Sequence, residues 1–151
     1  MSGLEVIADR VEIEALRGEF TDAVMMNDHD RLASLFTPDG AARIPFGNIE
    51  AAGRAEIRAL GERRQAVADY FVQTTHPGTI QLNGDTATGR AYPSEAAHVR
   101  DGGSHLNYFV YHDRYQRTSD GWKFIERVAE FRYLDITPLA GSAPRAAGDA
   151  R

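Results

Sequence analysis

The strongest constraint on the fold is a set of strand-like segments in the second half of the chain, separated by turn signals. They are rich in β-branched and aromatic residues and cover 70–82, 86–99, 104–117 and 122–135. The sequences "NGD" (83–85), "DGG" (101–103) and "TSDG" (118–121) lie between them. Such short connections join antiparallel neighbours, so these segments predict a four-stranded meander. Pro77-Gly78 predicts a bend or bulge inside the first strand.

The first half predicts helices. Apolar residues at spacings of two to four predict an amphipathic helix over 8–26, and similar patterns predict helices over 28–36 and 54–68. Asp28 is the predicted N-cap of the second helix. "TPDG" (37–40) predicts a turn, and the segment 41–47, broken by Pro45, predicts a short edge strand.

Three helices followed by a meander predict an α+β fold, in which a strongly curved antiparallel or mixed sheet wraps around the helices as a cone-shaped α+β barrel. One end of such a cone is a natural pocket. We expect one domain over residues 1–136 and a tail over 137–151 that is small, rich in Pro and Gly and partly mobile.

Composition excludes several functional classes. The chain has 22 acidic and 17 basic residues and a net charge of −5, without the concentrated positive stripe that a nucleic-acid partner requires. The basic cluster "GERRQ" (61–65) is predicted to be the solvated face of the third helix. No segment reaches the ~20 apolar residues of a membrane span. The chain has no cysteine and no apolar leader near Met1, which favours a soluble cytoplasmic protein.

Three motifs together resemble the SnoaL-like branch of the nuclear transport factor 2-like superfamily. They are "DHDRLASLFTPDG", "THPGTIQLNGDTATG" and "YQRTSDGWKFIER", in that order along the chain. Within that branch the sequence is similar to the hexachlorocyclohexane dehydrochlorinases and to the scytalone dehydratases. The segment "TPLAG" (137–141) resembles the dehydrochlorinases in particular. The resemblance implies a cofactor-free lyase without a metal, often a homotrimer, with a histidine and an acid in a hydrophobic pocket.

The resemblance transfers only part of that catalytic set. The histidine matches His76 and an arginine matches Arg127, but the acid position holds Met25 and a lysine position holds Phe20. A second histidine of the dehydratases falls near Ala91. The chain therefore differs from both enzymes.

Strand alternation supplies a replacement for the missing acid. If His76 and Thr74 face the pocket, the same alignment turns Ala91, Pro93 and Glu95 inward on the next strand, and Asn107, Phe109 and Tyr111 on the one after. A buried Glu95 carboxylate would have a raised pKa and could serve as a general base. The alternative is that Glu95 lies beyond the buried part of the strand, in water. Arg127 could equally pair on the outer face.

We therefore predict His76, Glu95 and Arg127 as catalytic residues. Residues predicted to bind the substrate are Asn107, Tyr111, Met25, Phe46, Phe71 and Phe109. The predicted function is a cofactor-independent lyase that acts on a small hydrophobic, aromatic molecule and releases water, halide or a small aldehyde such as formaldehyde. A SnoaL-like isomerase or cyclase and a non-catalytic ligand-binding or dimerisation domain are the alternatives. A homotrimer is favoured over a dimer.

Overall fold

The computed structural model describes residues 2–144. The helices are α1 (Gly3–Met25), α2 (His29–Ser34) and α3 (Arg54–Val67), and a short 3₁₀ turn covers Pro45–Gly47. The strands are β1 (Phe36–Ile44), β2 (Ile49–Ala52), β3 (Ala68–Asn83), β4 (Thr86–Val99), β5 (Ser104–Thr118) and β6 (Gly121–Asp135). The predicted α+β class is confirmed.

The sheet has six strands in the order β2-β1-β6-β5-β4-β3. All neighbours are antiparallel except β1 and β6, which run parallel. The meander from β3 to β6 is as predicted. The sheet is mixed and its two edge strands, β2 and β3, do not pair with each other, so the cone is not a closed barrel.

Helix α1 starts five residues before the predicted position because a capping box begins it. The Ser2 side chain accepts a hydrogen bond from the Glu5 backbone N–H, and the Glu5 carboxylate accepts one from the Ser2 backbone N–H. Asp28 caps α2 as predicted, since its carboxylate accepts from the Arg31 N–H. The inner face of α1 packs against the sheet, and the Phe20 ring contacts the edges of Phe36 and Phe124.

The prediction of a turn at residues 37–40 is wrong. These residues belong to β1, which hydrogen-bonds β6 on one side and β2 on the other. The parallel register with β6 shifts between Phe36 and Ala41, so the turn-forming residues are absorbed as an irregularity in a paired strand. The paired residues flank this segment: Phe36 pairs with β6, and Ala41 and Ala42 pair with both β6 and β2. These pairs keep residues 37–40 within the strand despite the local turn preference of Pro38 and Asp39.

Strand β3 has the predicted bulge. Its antiparallel register with β4 shifts between His76 and Thr79, around Pro77-Gly78. A bulge adds one residue to one strand, so the side chains before and after it alternate in opposite phase. Phe71 and Gln73 face inward before the bulge, whereas Ile80 is buried after it.

Replacing Gly78 with alanine should destabilise this bulge. A Cβ at Gly78 would overlap the backbone carbonyl oxygen of Arg90 on β4, and backbone atoms of a paired strand cannot move aside freely. We expect the free energy of unfolding to fall by about 1–3 kcal/mol, measured by urea denaturation. Gly103→Ala is the control, because no atom lies within 4 Å of a Cβ there. Equal denaturation midpoints for the two variants would contradict the close approach.

Residues 136–144 follow β6 without a regular element. The rest of the predicted tail, 145–151, lies outside the described residues. No helix within residues 2–144 combines the length and apolar character required to cross a membrane.

Candidate active site

A mainly apolar cavity of about 220 Å³ lies between the helices and the concave face of the sheet. Its apolar wall comes from all three helices, β1, β2 and β3, with Phe20, Val24, Leu32, Ile57, Leu60, Ile44, Ile49 and Phe71. Its polar groups are few: Arg43, Arg64, Gln73, Glu95, Tyr111 and Arg127. Apolar walls with a few converging polar groups are typical of small-molecule sites.

A second chamber, of about 280 Å³, adjoins this cavity. The two share Ile44, Ile49, Arg64, Phe71 and Glu95 in their walls. We call them the inner and the outer chamber. Arg64 and Glu95 therefore lie at the junction, where both chambers have access to them.

Glu95 lies in the wall of the inner chamber, so of the two placements open from the sequence the inward one is observed. Its Oε2 accepts a hydrogen bond from the Gln73 amide at 2.8 Å, and its Oε1 accepts one from the Asn107 amide at 3.4 Å. Burial raises the pKa of the Glu95 carboxyl, although the two amides and the charge of Arg64 act in the opposite direction. A carboxyl of this kind suits proton transfer.

The raised pKa of Glu95 predicts a pH-dependent cost to stability. An acid with a folded-state pKa above its unfolded value binds protons more tightly when folded, so ionisation disfavours the folded state. The penalty is absent below the unfolded pKa and grows as the pH rises through the folded pKa. Glu95→Gln should therefore unfold at a higher temperature than wild type at neutral pH, and this difference should vanish in acid. Scanning calorimetry across that pH range tests it, and a difference that grew in acid would contradict it.

Arg127 also lines the inner chamber, but its side chain forms a buried ion pair with Asp113, a residue that the sequence patterns did not identify. Its Nε and Nη2 donate to the two carboxylate oxygens of Asp113 at 2.8 and 3.0 Å. The side chains of Arg127 and Asp113 are 1% and 0% exposed. The Tyr115 hydroxyl donates to Asp113 at 2.7 Å and accepts from Arg17 Nε at 2.8 Å. Asp113 stands opposite Arg127 in the β5–β6 register, but the register shifts between Arg114 and Tyr115, so a simple count back from the hairpin turn would have paired Asp113 with Glu126 instead.

Tyr111 and Asn107 face inward, as predicted. The guanidinium carbon of Arg127 lies 3.8 Å from the centroid of the Tyr111 ring, and burial raises the pKa of the Tyr111 hydroxyl. Asn107 lines the outer chamber, and its Oδ1 is buried without a hydrogen-bond partner within residues 2–144. A ligand that donates a hydrogen bond could satisfy this oxygen.

The predicted inward orientation of His76 is wrong. Its side chain is exposed, and it lies outside the walls of both chambers. The reason is the bulge at Pro77-Gly78: before it the inward positions of β3 are Phe71 and Gln73, so His76 falls on the outer phase. Thr74 is likewise exposed. Gln73 stands opposite Glu95 in the β3–β4 register, whereas His76 stands opposite Tyr92.

The apolar residues predicted to bind the substrate divide into three groups. Phe71 lines both chambers, as predicted. Phe46 is 70% exposed at the rim of the outer chamber, where its ring contacts Phe131 at 5.5 Å between centroids. Phe109 is buried against Tyr111 and Phe131 and lines neither chamber, so it is a core residue.

Met25 also lies outside both chambers. Its sulfur accepts a hydrogen bond from the Gln73 backbone N–H at 3.1 Å, and it lines a separate small cavity of about 130 Å³. The residue at the family's acid position thus supports the strand that carries Gln73. It does not reach the inner chamber, and the acid in the chamber wall comes from β4.

Arg64 is a second polar residue that the sequence analysis missed, because "GERRQ" was predicted to be solvated. Arg63 is exposed, but Arg64 lines the inner and outer chambers. The spacing of Ile57, Leu60 and Arg64 places all three on one face of α3, which was the available signal. Arg64 Nη2 is buried without a hydrogen-bond partner within the described chain.

Taken together, the cavity offers one carboxylate for proton transfer, three arginines for negative charge and apolar walls for a ring, a set that suits acid–base chemistry with fixed charge. Within residues 2–144 no group of three or more His, Asp or Glu side chains is arranged to hold a metal ion.

Comparisons with known proteins agree with this architecture. Residues 5–128 match the model of the SnoaL-like domain family. LinA, a hexachlorocyclohexane dehydrochlorinase, is 27% identical to this chain in sequence. Its crystal structure superposes with a TM-score of 0.85 over 96% of this chain and 100% of that chain. An NTF2-like protein with a cystatin-like fold from Novosphingobium aromaticivorans is 26% identical, with a TM-score of 0.70 over 85% of each chain.

A candidate scytalone dehydratase from Novosphingobium aromaticivorans shares the fold at 19% identity, with a TM-score of 0.77 over 96% of this chain and 97% of that chain. No curated protein matches the sequence. The family match covers most of the chain, and the three helices and mixed sheet are those of the structural neighbours. The chain belongs to the SnoaL-like domain family, within the NTF2-like superfamily.

Proposed function

We propose that the protein is a cofactor-independent lyase that acts on a small hydrophobic, aromatic substrate. The observation that carries the proposal is Glu95, a carboxylate with a raised pKa in the wall of an apolar cavity. The inner chamber, at about 220 Å³, exceeds the ~150 Å³ of an apolar cavity that admits benzene. A ring with one or two substituents suits its size and its aromatic lining.

Glu95 is the general base of the proposed reaction. Its carboxylate takes a proton from a C–H or O–H of the substrate, the electron pair left behind forms a new double bond, and the bond to the leaving group breaks with its electrons. In the loss of halide or water the proton comes from a C–H, and a departing hydroxide takes that proton back from Glu95 to leave as water. In the loss of a small aldehyde the proton comes from a hydroxyl, the new double bond is the C=O of the aldehyde, and the other fragment keeps the electrons of the broken C–C bond and takes the proton from Glu95. The amides of Gln73 and Asn107 hold the carboxylate in place through its two oxygens. These two hydrogen bonds fix the orientation of the Glu95 carboxylate toward the substrate, which lowers the entropic cost of reaching the reactive geometry.

Arg127, Asn107 and Tyr111 have supporting roles in the proposal. Arg127 supplies a fixed positive charge, held by Asp113, which stabilises negative charge that develops in the transition state. Asn107 Oδ1 accepts a hydrogen bond from a substrate hydroxyl, and Tyr111 packs against the ring. We give His76 no part in the proposed reaction, because its side chain is exposed and lies outside the walls of both chambers.

The activity for which one structural neighbour is named supports the reaction class. LinA, at 27% identity, carries the name of a dehydrochlorinase, which is an eliminating enzyme. A SnoaL-like isomerase or cyclase is the second candidate, because Glu95 is bonded by two amides and a lone carboxylate can both remove and return a proton. Such a reaction would conserve the mass of the substrate.

Turnover of a panel of aromatic diols, hydroxylated polyketides and polychlorinated rings, followed by mass spectrometry, tests the proposal. A lyase yields two products whose masses sum to that of the substrate, whereas an isomerase yields one product of unchanged mass. A bound compound that is recovered unchanged after long incubation would favour a ligand-binding domain.

We also propose that the protein is cytoplasmic and a homotrimer. Tyr108 and Tyr133 form an exposed pair on the outer face of the sheet, with ring centroids 6.1 Å apart, which supports contact with another copy. Analytical ultracentrifugation tests the stoichiometry, and a single monomer species at high concentration would overturn it.

A further inference from the structure

Arg64 stands apart from the other arginines that line the inner chamber. Arg127 is paired with Asp113, and Arg43 is paired with Glu126. Arg64 Nη2, by contrast, is buried and has no hydrogen-bond partner within residues 2–144. A buried donor on a charged group without a partner carries a desolvation cost, so it is a position where a ligand can bind.

Features of the protein around Arg64 hold the guanidinium without satisfying it. The guanidinium carbon lies 5.0 Å from the centroid of the Phe71 ring, a cation–π contact that orients the group. Arg64 is also in the last turn of α3, where the helix dipole favours a cation. Burial lowers the pKa of the guanidinium, but an arginine remains charged at neutral pH. Neither contact supplies an acceptor for Nη2.

The surroundings of Arg64 define the ligand that would fit. The charge lies at the junction of two chambers whose walls are mostly apolar, next to the aromatic rings of Phe71 and Tyr111. A ligand that fills this junction needs an apolar, planar body and an oxygen with negative charge. We infer that Arg64 binds the anionic oxygen of an aromatic ligand, either a phenolate or an arene carboxylate. The inference rests on the proposed function only in taking this cavity as the substrate site.

Glu95 modulates this binding, because it lies in the walls of the same chambers and its carboxylate repels an anion. When Glu95 is protonated, the repulsion is absent and the Arg64 charge acts alone. Removal of the Glu95 charge by substitution should therefore strengthen binding of an aromatic anion, whereas removal of the Arg64 charge should weaken it. These opposite signs distinguish a charge effect from damage to the fold.

The test uses 4-nitrophenol and benzoate as probes at neutral pH. The absorbance of the 4-nitrophenolate ion reports its binding directly, and calorimetry reports benzoate. Arg64→Met keeps the apolar stem and should weaken binding of at least one anion by about 10- to 100-fold, the value of a charge-assisted hydrogen bond. Arg63→Met is the matched control, since Arg63 is the exposed neighbour on α3. Glu95→Gln should bind that anion more tightly than wild type.

The two probes identify the source of the oxygen, since a phenolate site responds to 4-nitrophenol and a carboxylate site to benzoate. The uncharged 4-nitroanisole should bind wild type and Arg64→Met equally. Equal affinities of wild type and Arg64→Met for both anions, with unchanged thermal transitions, would overturn the inference. None of these measurements needs turnover. Absence of lyase activity would thus remove the proposed function alone, and loss of Arg64 dependence would remove this inference alone.

Discussion

Replacing Asp113 with asparagine should lower the free energy of unfolding by about 3–5 kcal/mol. Asparagine keeps the shape of the side chain but not its charge, so the Arg127 guanidinium remains buried without a counter-charge. The carboxylate now accepts hydrogen bonds from two Arg127 nitrogens at 2.8 and 3.0 Å. In the variant the amide NH₂ would replace one of the two accepting oxygens, so one arginine donor would face another donor. Since a loss of 1 kcal/mol shifts the melting temperature of a chain of this size by about 2–4 °C, the effect should be evident in a thermal scan.

The controls separate burial from charge in this prediction. Asp85→Asn also removes a partner of an arginine, Arg117, but Asp85 is 81% exposed and should cost about 0–1 kcal/mol. The double variant Asp113→Leu with Arg127→Met replaces both charges with apolar groups, and it should recover much of the lost stability. Equal decreases in the free energy of unfolding for Asp113→Asn and Asp85→Asn would show that the buried pair contributes no more to stability than the exposed pair.

The sequence was sufficient to predict the helices and the meander because these depend on local patterns. The spacing of apolar residues on α1 and α3 and the short turns between β3 and β6 act within a few residues. The residues 37–40 show the limit of that reasoning. Their turn preference is local, whereas their place within β1 depends on the pairing of the flanking residues with β6, which is more than eighty residues away in the chain.

The sequence predicted which site residues face the cavity wherever the alternation of inward and outward side chains along a strand is uninterrupted. Glu95, Asn107 and Tyr111 lie inward as predicted, since β4 and β5 keep a continuous antiparallel register where these residues pair. His76 lies just before a bulge that inverts the phase of β3, and the sequence located the bulge at Pro77-Gly78 without locating where the phase changes. A one-residue shift is enough to move a side chain to the other face.

Asp113 and Arg64 were missed for a different reason. Both are charged residues, and charged residues are rarely buried without a partner, so composition alone favours a solvated position. Asp113 is buried against Arg127 of the next strand, and Arg64 is half-buried, with its Nη2 fully buried, because its helix face continues from Ile57. The spacing on α3 indicated that face, whereas the register shift between Arg114 and Tyr115 concealed the Asp113–Arg127 pair from a count along the strands.

Replacing Glu95 with glutamine should lower kcat/KM for any substrate of the proposed lyase by about 100- to 10,000-fold, which is the usual contribution of a general base. Glutamine has the same size, and its oxygen can accept from the Gln73 amide while its N–H donates to Asn107 Oδ1 once that amide turns over, but it cannot take a proton. The measurement is steady-state turnover of the substrate that the panel identifies, with product masses followed in parallel. Glu19→Gln makes the same chemical change at an exposed position on α1 and should retain full activity.

The pH profile of kcat/KM makes this prediction specific to Glu95. A general base acts when ionised, so activity should rise with pH through the raised pKa of Glu95, above the ordinary value of 4.5. Any residual activity of Glu95→Gln should lack that rise. Full activity in the variant would remove Glu95 from the mechanism and leave Arg64 and Arg127 as the groups that promote reaction, by stabilising an anion that the substrate forms without a protein base. A lost activity with a thermal transition no lower than that of wild type would instead assign the chemistry to the carboxylate on β4, since α1 has Met25 where the resemblance places an acid.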